Sequence, residues 1–356
     1  MKHWSTVLRV MKTAPMSPES GLLILNKESG LTSFDALRGV KRAFKTGKVG
    51  HTGTLDKFAS GLLAALVGKA VKLVPYTGKG EKEYRAVIRF GAETDTLDPE
   101  GAITAEGPVP SRAAVEAVLP QFRGAILQAP PAYSAVHVEG GRAYEIARSG
   151  KTPEMEKRPV TIYRLELLSF EAPEAAVRVV SSAGTYIRSL ARDIALAAGS
   201  RAYVTSLTRT RIGGFTLEDA PASRTGDDGA FKRALKPLGP EVLEKFSIPC
   251  LWVDPGTATA MIHGKPLEPL LRTAKSTTPP QADGVWTLRN ESGSGDVSPA
   301  LGAPADGFFG IFREGEDAPL VAVVERKKGR WYYGHVFAGP HPAGDGAAGR
   351  GTHALS

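Results

Sequence analysis

The chain has 356 residues, 42% of them apolar and 23% charged, the proportions of a globular protein and not of a disordered or fibrous one. A single cysteine, Cys250, excludes an internal disulfide and any multi-cysteine metal site. No apolar run approaches the roughly 18 residues of a membrane helix, and residues 1–20 lack the apolar stretch of a secretory signal; the expectation is a cytoplasmic protein with no membrane partner.

The formal net charge of +8 is unevenly spread. Residues 1–90 hold 16 Lys/Arg against 6 Asp/Glu, whereas the remainder holds 29 against 31. A basic quarter of this kind suits phosphate neutralisation and counterion release on a nucleic acid, although a solvated basic surface has the same composition.

Residues 1–20, polar with Pro15 and Pro18, read as a loose tail. Gly21–Asn26 (GLLILN) is a short apolar run between turn signals and predicts a buried strand. Thr32 or Ser33 can cap a helix with Phe34, Leu37, Val40, Lys41 and Phe44 at helical spacing and Gly47 as its stop. Lys48–Ser60 (KVGHTGTLDKFAS) reads as a polar loop and Gly61–Val74 as an apolar helix. Tyr84–Phe90 alternates like a strand, Thr94–Gly101 is turn chemistry, Arg112–Leu119 is helical and Phe122–Leu127 extended.

Further strands are predicted at Tyr133–Val138, Thr161–Phe170, Ala176–Ser182 and Ala202–Ile212, with a short helix at Ala143–Arg148. A longer helix is expected over Thr185–Ala198, capped by Thr185 and ended by Gly199. The mixture predicts an α+β core on a largely antiparallel mixed sheet flanked by helices. Composition shifts near Thr225–Pro249, and Leu251–Phe337 carries short β-like runs, so a small β-rich domain over 251–338 follows a core domain over 21–250. Residues 291–307 read as a Gly/Ser/Pro/Ala loop, and 339–356 as a disordered tail.

Two segments could carry chemistry. Gly50–Asp56 sets an imidazole, His51, and a carboxylate, Asp56, five residues apart among glycines that permit close approach of a ligand and threonines that could hold the carboxylate; a bare turn-stabilising role for Asp56 is the alternative. In Gly184–Arg188, an arginine sits at the start of a helix, where the dipole disfavours it; pairing with a buried carboxylate would explain it, since the guanidinium fork suits that task. Seven histidines show no zinc-ligand spacing, and neither a P-loop nor a Gly-x-Ser-x-Gly elbow occurs, so neither metal nor cofactor is expected.

Five blocks in register resemble the TruB family of pseudouridine synthases: GLLILNKESGLTSFDALRGVKR, KVGHTGTLDKFASGLLAALVGKAVKL, KEYRAVIRFGAETDTLDPEG, QAPPAYSAVHVEGGRAYEIARSG and SSAGTYIRSLARDIALAAGSRAYVTSLTRTRIGGF, spanning Gly21 to about Phe215. The resemblance implies the pseudouridine synthase fold and a catalytic group of Asp56, Tyr84, which stacks on the target base, and Arg188, which pairs with the aspartate and keeps it ionised. It further implies substrate contacts from His51, Tyr186, Leu207, which closes the pocket, and Lys27.

The implied partner is transfer RNA, bound by its T-arm with the loop uridine at tRNA position 55 as target, and no obligate protein partner is expected. The carboxylate could serve as nucleophile at C1′, as counter-charge to the sugar, or as base for a 2′ proton. Another RNA substrate, as in guide-RNA-dependent relatives, or an RNA-folding role with catalysis secondary, are the competing readings. Family members commonly have Pro after the aspartate and Thr-Gly shortly after, where this chain has Lys57 and Ser60-Gly61; Lys57 is a candidate phosphate contact. The C-terminal region resembles a PUA-type RNA-binding module only loosely.

Overall fold

The computed structural model describes residues 20–138, 141–150, 153–220, 228–271, 274–276, 307–315 and 319–337. They fall into two compact units that divide between Pro249 and Cys250. The tails expected over 1–20 and 339–356 and the loop over 291–307 lie outside the described residues, save Ser20 and Gly307.

The larger unit begins with strand β1 (Gly21–Lys27) and helix α1 (Ser33–Ala43). Thr32 caps α1 through a capping box with Asp35, and the helix ends at Phe44, before Gly47 is reached. Short β2 (Val49–His51) and longer β3 (Ser60–Val67) follow. Here the structure corrects the expected helix over Gly61–Val74: its first half is a strand, continued by a 3-10 turn over Gly68–Leu73. The reason is burial on both faces. Leu63, Ala65 and Val67 pack with Leu23, Leu25, Leu37 and Val40, while Leu62, Ala64 and Leu66 on the other face are equally inaccessible. A strand buried on both sides has no alternation to reveal it, and a short apolar run then looks the same as a helix.

Strands β4 (Lys82–Phe90), β5 (Gly124–Gln128), β6 (Arg158–Glu171), β7 (Glu174–Ser181) and β8 (Ala202–Ile212) extend the sheet, with helix α2 (Ile187–Ala197) between β7 and β8 and residues Phe215–Thr216 paired to β8. Its order is β1-β3-β8-β4-β7-β6-β5, with β2 added to β3. All of these pairings are antiparallel except β3 with β8. Helix α2 lays Ile187, Leu190, Ala191, Ile194 and Ala195 onto Ala86, Ile88, Val177, Val179 and Val204, a stripe at i, i+3, i+4, i+7 and i+8. Its N-cap is Tyr186, without a side-chain capping bond, and not the expected Thr185, whose hydroxyl donates to the Ser182 carbonyl. The strand expected over Tyr133–Val138 contracts to His137–Val138.

The smaller unit carries strands at Cys250–Val253, Gly307–Arg313, Leu320–Lys327 and Arg330–Val336 in one five-stranded sheet with residues 275–276. Two helices, Pro255–Ile262 and Leu267–Leu271, add Ala258, Met261 and Leu267 to its core with Ile311, Val321 and Val324. Sequence patterning caught the last three strands and missed those at Cys250–Val253 and 275–276 and both short helices.

Candidate active site

The segment between β2 and β3 is held from behind by three side chains that bond to its backbone. The Ser33 hydroxyl accepts from the Leu55 N–H at 2.8 Å and donates to the Leu55 carbonyl at 3.0 Å. Lys27, 2% exposed, donates to the carbonyls of Ala59 at 2.5 Å, Leu31 at 2.6 Å and Glu28 at 3.0 Å. Arg209, 1% exposed, reaches from β8 to the carbonyls of Leu62 at 2.8 Å, Gly53 at 3.0 Å and Thr54 at 3.4 Å. Two glycines make this approach possible. Gly53 has φ +139°, and a Cβ on Gly61 (φ +104°) would stand 2.3 Å from the Arg209 carbonyl oxygen.

At the tip of this braced loop, the Asp56 carboxylate keeps 37% side-chain exposure and meets Arg188 from the first turn of α2. Arg188 Nη2 donates to Asp56 Oδ1 at 3.2 Å, and Nε stands 2.9 Å from Oδ2 without the alignment of a hydrogen bond. The same guanidinium, itself buried, donates to Asp98 Oδ2 at 3.0 Å and to the carbonyls of Thr96 at 2.6 Å and Tyr133 at 3.0 Å. Asp98 is 5% exposed and accepts from the Thr96 hydroxyl at 2.6 Å and the Glu100 N–H at 3.0 Å. One guanidinium therefore joins two carboxylates, one sealed and one open.

Charge balance follows from that geometry. Burial pushes the Asp56 carboxyl above its ordinary range; Arg188 opposes this, Asp98 adds to it, and Lys27 lowers it again. Arg188 thus acts in the expected sense, opposing the rise that burial imposes on Asp56.

The comparisons agree with the geometry. Residues 41–187 match the family model described as TruB family pseudouridylate synthase, N-terminal domain. The tRNA pseudouridine synthase B of Borreliella burgdorferi (strain ZS7) is 48% identical over 205 residues, covering 57% of this chain and 73% of that protein. The tRNA pseudouridine synthase B of Gluconacetobacter diazotrophicus is 41% identical over 258 residues, 70% of this chain and 82% of the relative. This chain belongs to the TruB family of pseudouridylate synthases. The crystal structure of a Cbf5-Nop10-Gar1 complex also matches, with a TM-score of 0.61 and 26% identity over 87% of this chain and 79% of the other.

Around Asp56, the fold gathers several of the residues named from sequence. Tyr84, on β4 and 7% exposed, packs in one cluster with Leu55, Ile187 and Leu207, the first two being chain neighbours of Asp56 and Arg188. Tyr186 precedes α2 and donates its N–H to Gln128 Oε1 at 2.8 Å; burial above all pushes its hydroxyl up, and the Asp56 charge adds to this. His51 ends β2, and its Nδ1 accepts from the Gly53 N–H at 3.4 Å. Burial, reinforced by Arg209, holds its imidazole below the usual histidine range, hence neutral near pH 7.

Three expectations shift. The ammonium of Lys27 points at backbone carbonyls and not into the opening, and burial lowers its pKa to about 8. Lys57 pairs with Glu100 at 3.2 Å. Among the described residues, the loop threonines make no hydrogen bond to Asp56, and the Thr52 hydroxyl is buried without a hydrogen-bond partner. Two contributors went unrecognised in the sequence, Asp98 within TDTLDPEG and Arg209 within SLTRTRIGG. Each looked like an ordinary turn or strand residue, and only the fold reveals that both are buried charges.

Proposed function

We propose that this chain isomerises a uridine of transfer RNA to pseudouridine, at position 55 in the T-loop. The observation that carries the reading is an open carboxylate, Asp56, backed by a buried guanidinium and set on a loop fixed by its backbone. Relatives 48% and 41% identical to this chain bear the name tRNA pseudouridine synthase B.

A uridine within a folded loop must leave its stack to be reached, at a cost of a few kcal/mol. Tyr84 offers the flipped base an aromatic face, a contact worth about 1–3 kcal/mol, and Leu207 closes the pocket beside it. Breaking C1′–N1 puts positive charge on the sugar, which the Asp56 carboxylate meets. The uracil then turns, C5 bonds to C1′, the C5 proton departs and N1 ends protonated, so no atom is gained or lost. Tyr84 is the candidate for taking the C5 proton. Arg188 holds Asp56 in register and opposes its protonation, while neutral His51 and Tyr186 line the approach.

The smaller unit reads as an RNA-binding module. Its hairpin from Leu320–Lys327 to Arg330–Val336 sets Arg326, Lys327, Lys328 and Arg330 beside Trp331 and Tyr332, and Tyr332 is 48% exposed. Cations interleaved with aromatics suit a phosphate backbone with unstacked bases.

Incubating the purified chain with unmodified transfer RNA, followed by mass-resolved mapping, tests the whole reading. Pseudouridine at position 55 is expected from this chain alone and none from Asp56→Asn. Dependence on added proteins or a guide RNA would replace the reading with that of the complex-forming relatives.

A further inference from the structure

The basic excess of the first ninety residues is not scattered. Phe34, Arg38, Lys41 and Lys45 follow i, i+4, i+7 and i+11 and share one side of α1 and the turn that leaves it. Lys48 comes next, and its carbonyl accepts from the Gly68 N–H at 2.8 Å, which brings exposed Lys69 and Lys72 of the following 3-10 turn alongside. Arg38 and Arg42 are neutralised by Asp35 and Asp228. Lys41, Lys45, Lys48, Lys69 and Lys72 form no ion pair among the described residues. Phe34 is 62% exposed with the Lys41 ammonium 4.4 Å over its ring.

A solvated helix face explains the lysines, but it does not explain a benzyl group held out in water at the one end of the ridge that touches the reactive loop. That end is fixed, because Ser33, the neighbour of Phe34, exchanges both hydrogen bonds with Leu55, the neighbour of Asp56. The first end of the ridge is thus tied to the loop that carries Asp56. An 11-residue helix spans about 16 Å, close to five 3.4 Å steps of one strand.

We propose that this ridge, Phe34 through Lys41, Lys45 and Lys48 to Lys69 and Lys72, docks the RNA backbone that leads into the flipped uridine, with Phe34 against the nucleotide next to it. The proposal rests on the RNA-modifying reading above and adds the surface that supplies binding energy without entering the chemistry. Neutralising lysines should therefore weaken binding and its salt dependence and leave the chemical step intact, since each phosphate contact contributes about 0.9 to the slope of log affinity against log salt.

The test compares the parent chain with Lys41→Gln/Lys45→Gln/Lys48→Gln, with Phe34→Ala, and with Arg85→Gln/Arg89→Gln/Arg164→Gln, which removes the same charge from strands β4 and β6. Binding of unmodified transfer RNA is titrated between 50 and 200 mM KCl (about that range brackets the salt effect), and single-turnover conversion is measured at saturating RNA. The lysine variant should bind at least about tenfold more weakly at 100 mM salt, with a slope smaller by about 2–3. Phe34→Ala should lose about fivefold or more in affinity. Both should convert bound RNA within about twofold of the parent rate, and the arginine variant should match the parent throughout. Equal weakening by both triple variants, or unchanged affinity in the lysine variant, overturns the proposal, as does a lost saturating rate at unchanged affinity. A parent chain that binds RNA and converts none of it fails the functional reading instead, while the binding arm still decides the ridge.

Discussion

Two sets of buried cations lie around the Asp56 loop, and they differ in what they bind. Arg188 spends its guanidinium on two carboxylates, Asp56 and Asp98. Arg209, Lys27 and Lys82 bond only to backbone carbonyls among the described residues. The first sets one guanidinium against two carboxylates at the tip of the loop. The second makes no hydrogen bond to a carboxylate among the described residues, although the Asp56 charge acts on Lys27, and Arg209 and Lys27 secure the shape of the segment from Gly53 to Leu62. Chemistry and geometry are thus assigned to different cations, a division that mutations can test.

The largest effect belongs to the carboxylate itself. Asp56→Asn keeps the size and most contacts of the side chain and should lower single-turnover conversion by at least about 10³-fold, with RNA affinity within about threefold of the parent. Comparable loss of affinity would mean that Asp56 serves binding and not the reaction. Next comes Arg188→Met. Removing the shared cation leaves two carboxylates facing each other, one of them sealed, and should cost about 3–5 kcal/mol in chemical denaturation along with most of the activity. It should also push the acid limb of the pH–rate profile further upward. The sign is set by Asp56: its carboxyl is already raised by burial, its ionised form is lost as pH falls through that raised value, and the Arg188 cation opposes the rise more strongly than Lys27 does. An acid limb in the ordinary aspartate range in the parent would contradict the burial seen here.

Much of the first cluster was legible in the sequence, and almost none of the second. An arginine at a helix start opposes the dipole, and that local misfit pointed to Arg188 and a buried partner before any fold was known. The wrong expectation over Gly61–Val74 has the same root as the failure to see Arg209. The strand at Ser60–Val67 is covered on both faces, so its residues lack the period-2 signal, and its close contact with β8 is what buries Arg209. A buried arginine bonded to carbonyls leaves no trace in spacing or composition, because its partners are backbone. Asp98 was hidden differently: it sits in a segment rich in turn residues, where one more aspartate carries no information.

If the second cluster acts through geometry, Arg209→Lys should separate shape from charge. The lysine keeps the positive charge but cannot span the carbonyls of Leu62, Gly53 and Thr54 together. The saturating rate should fall about tenfold while the acid limb stays where it is in the parent. A displaced acid limb, as large as that of Arg188→Met, would erase the distinction between the two clusters.

The smallest effect is expected at alkaline pH and has two opposite signs. Burial lowers Lys27 and Lys82 to about 8. As pH rises through that value, their ammonium groups lose protons that now bond to carbonyls of the loop and of Gly78 and Gly80, so the rate should decline a few-fold above pH 8. Stability should move the other way. Unfolded lysines keep their protons up to about 10.5, so between about 8 and 10.5 the unfolded chain binds more protons and the contribution of these two groups to folding rises with pH. Lys27→Met should flatten the alkaline limb and raise the melting temperature at pH 7, where the parent still buries the charge. A limb that persists in this variant would assign it to Lys82 or to the RNA, and a melting temperature that drops would mean that the carbonyl bonds of Lys27 outweigh its desolvation.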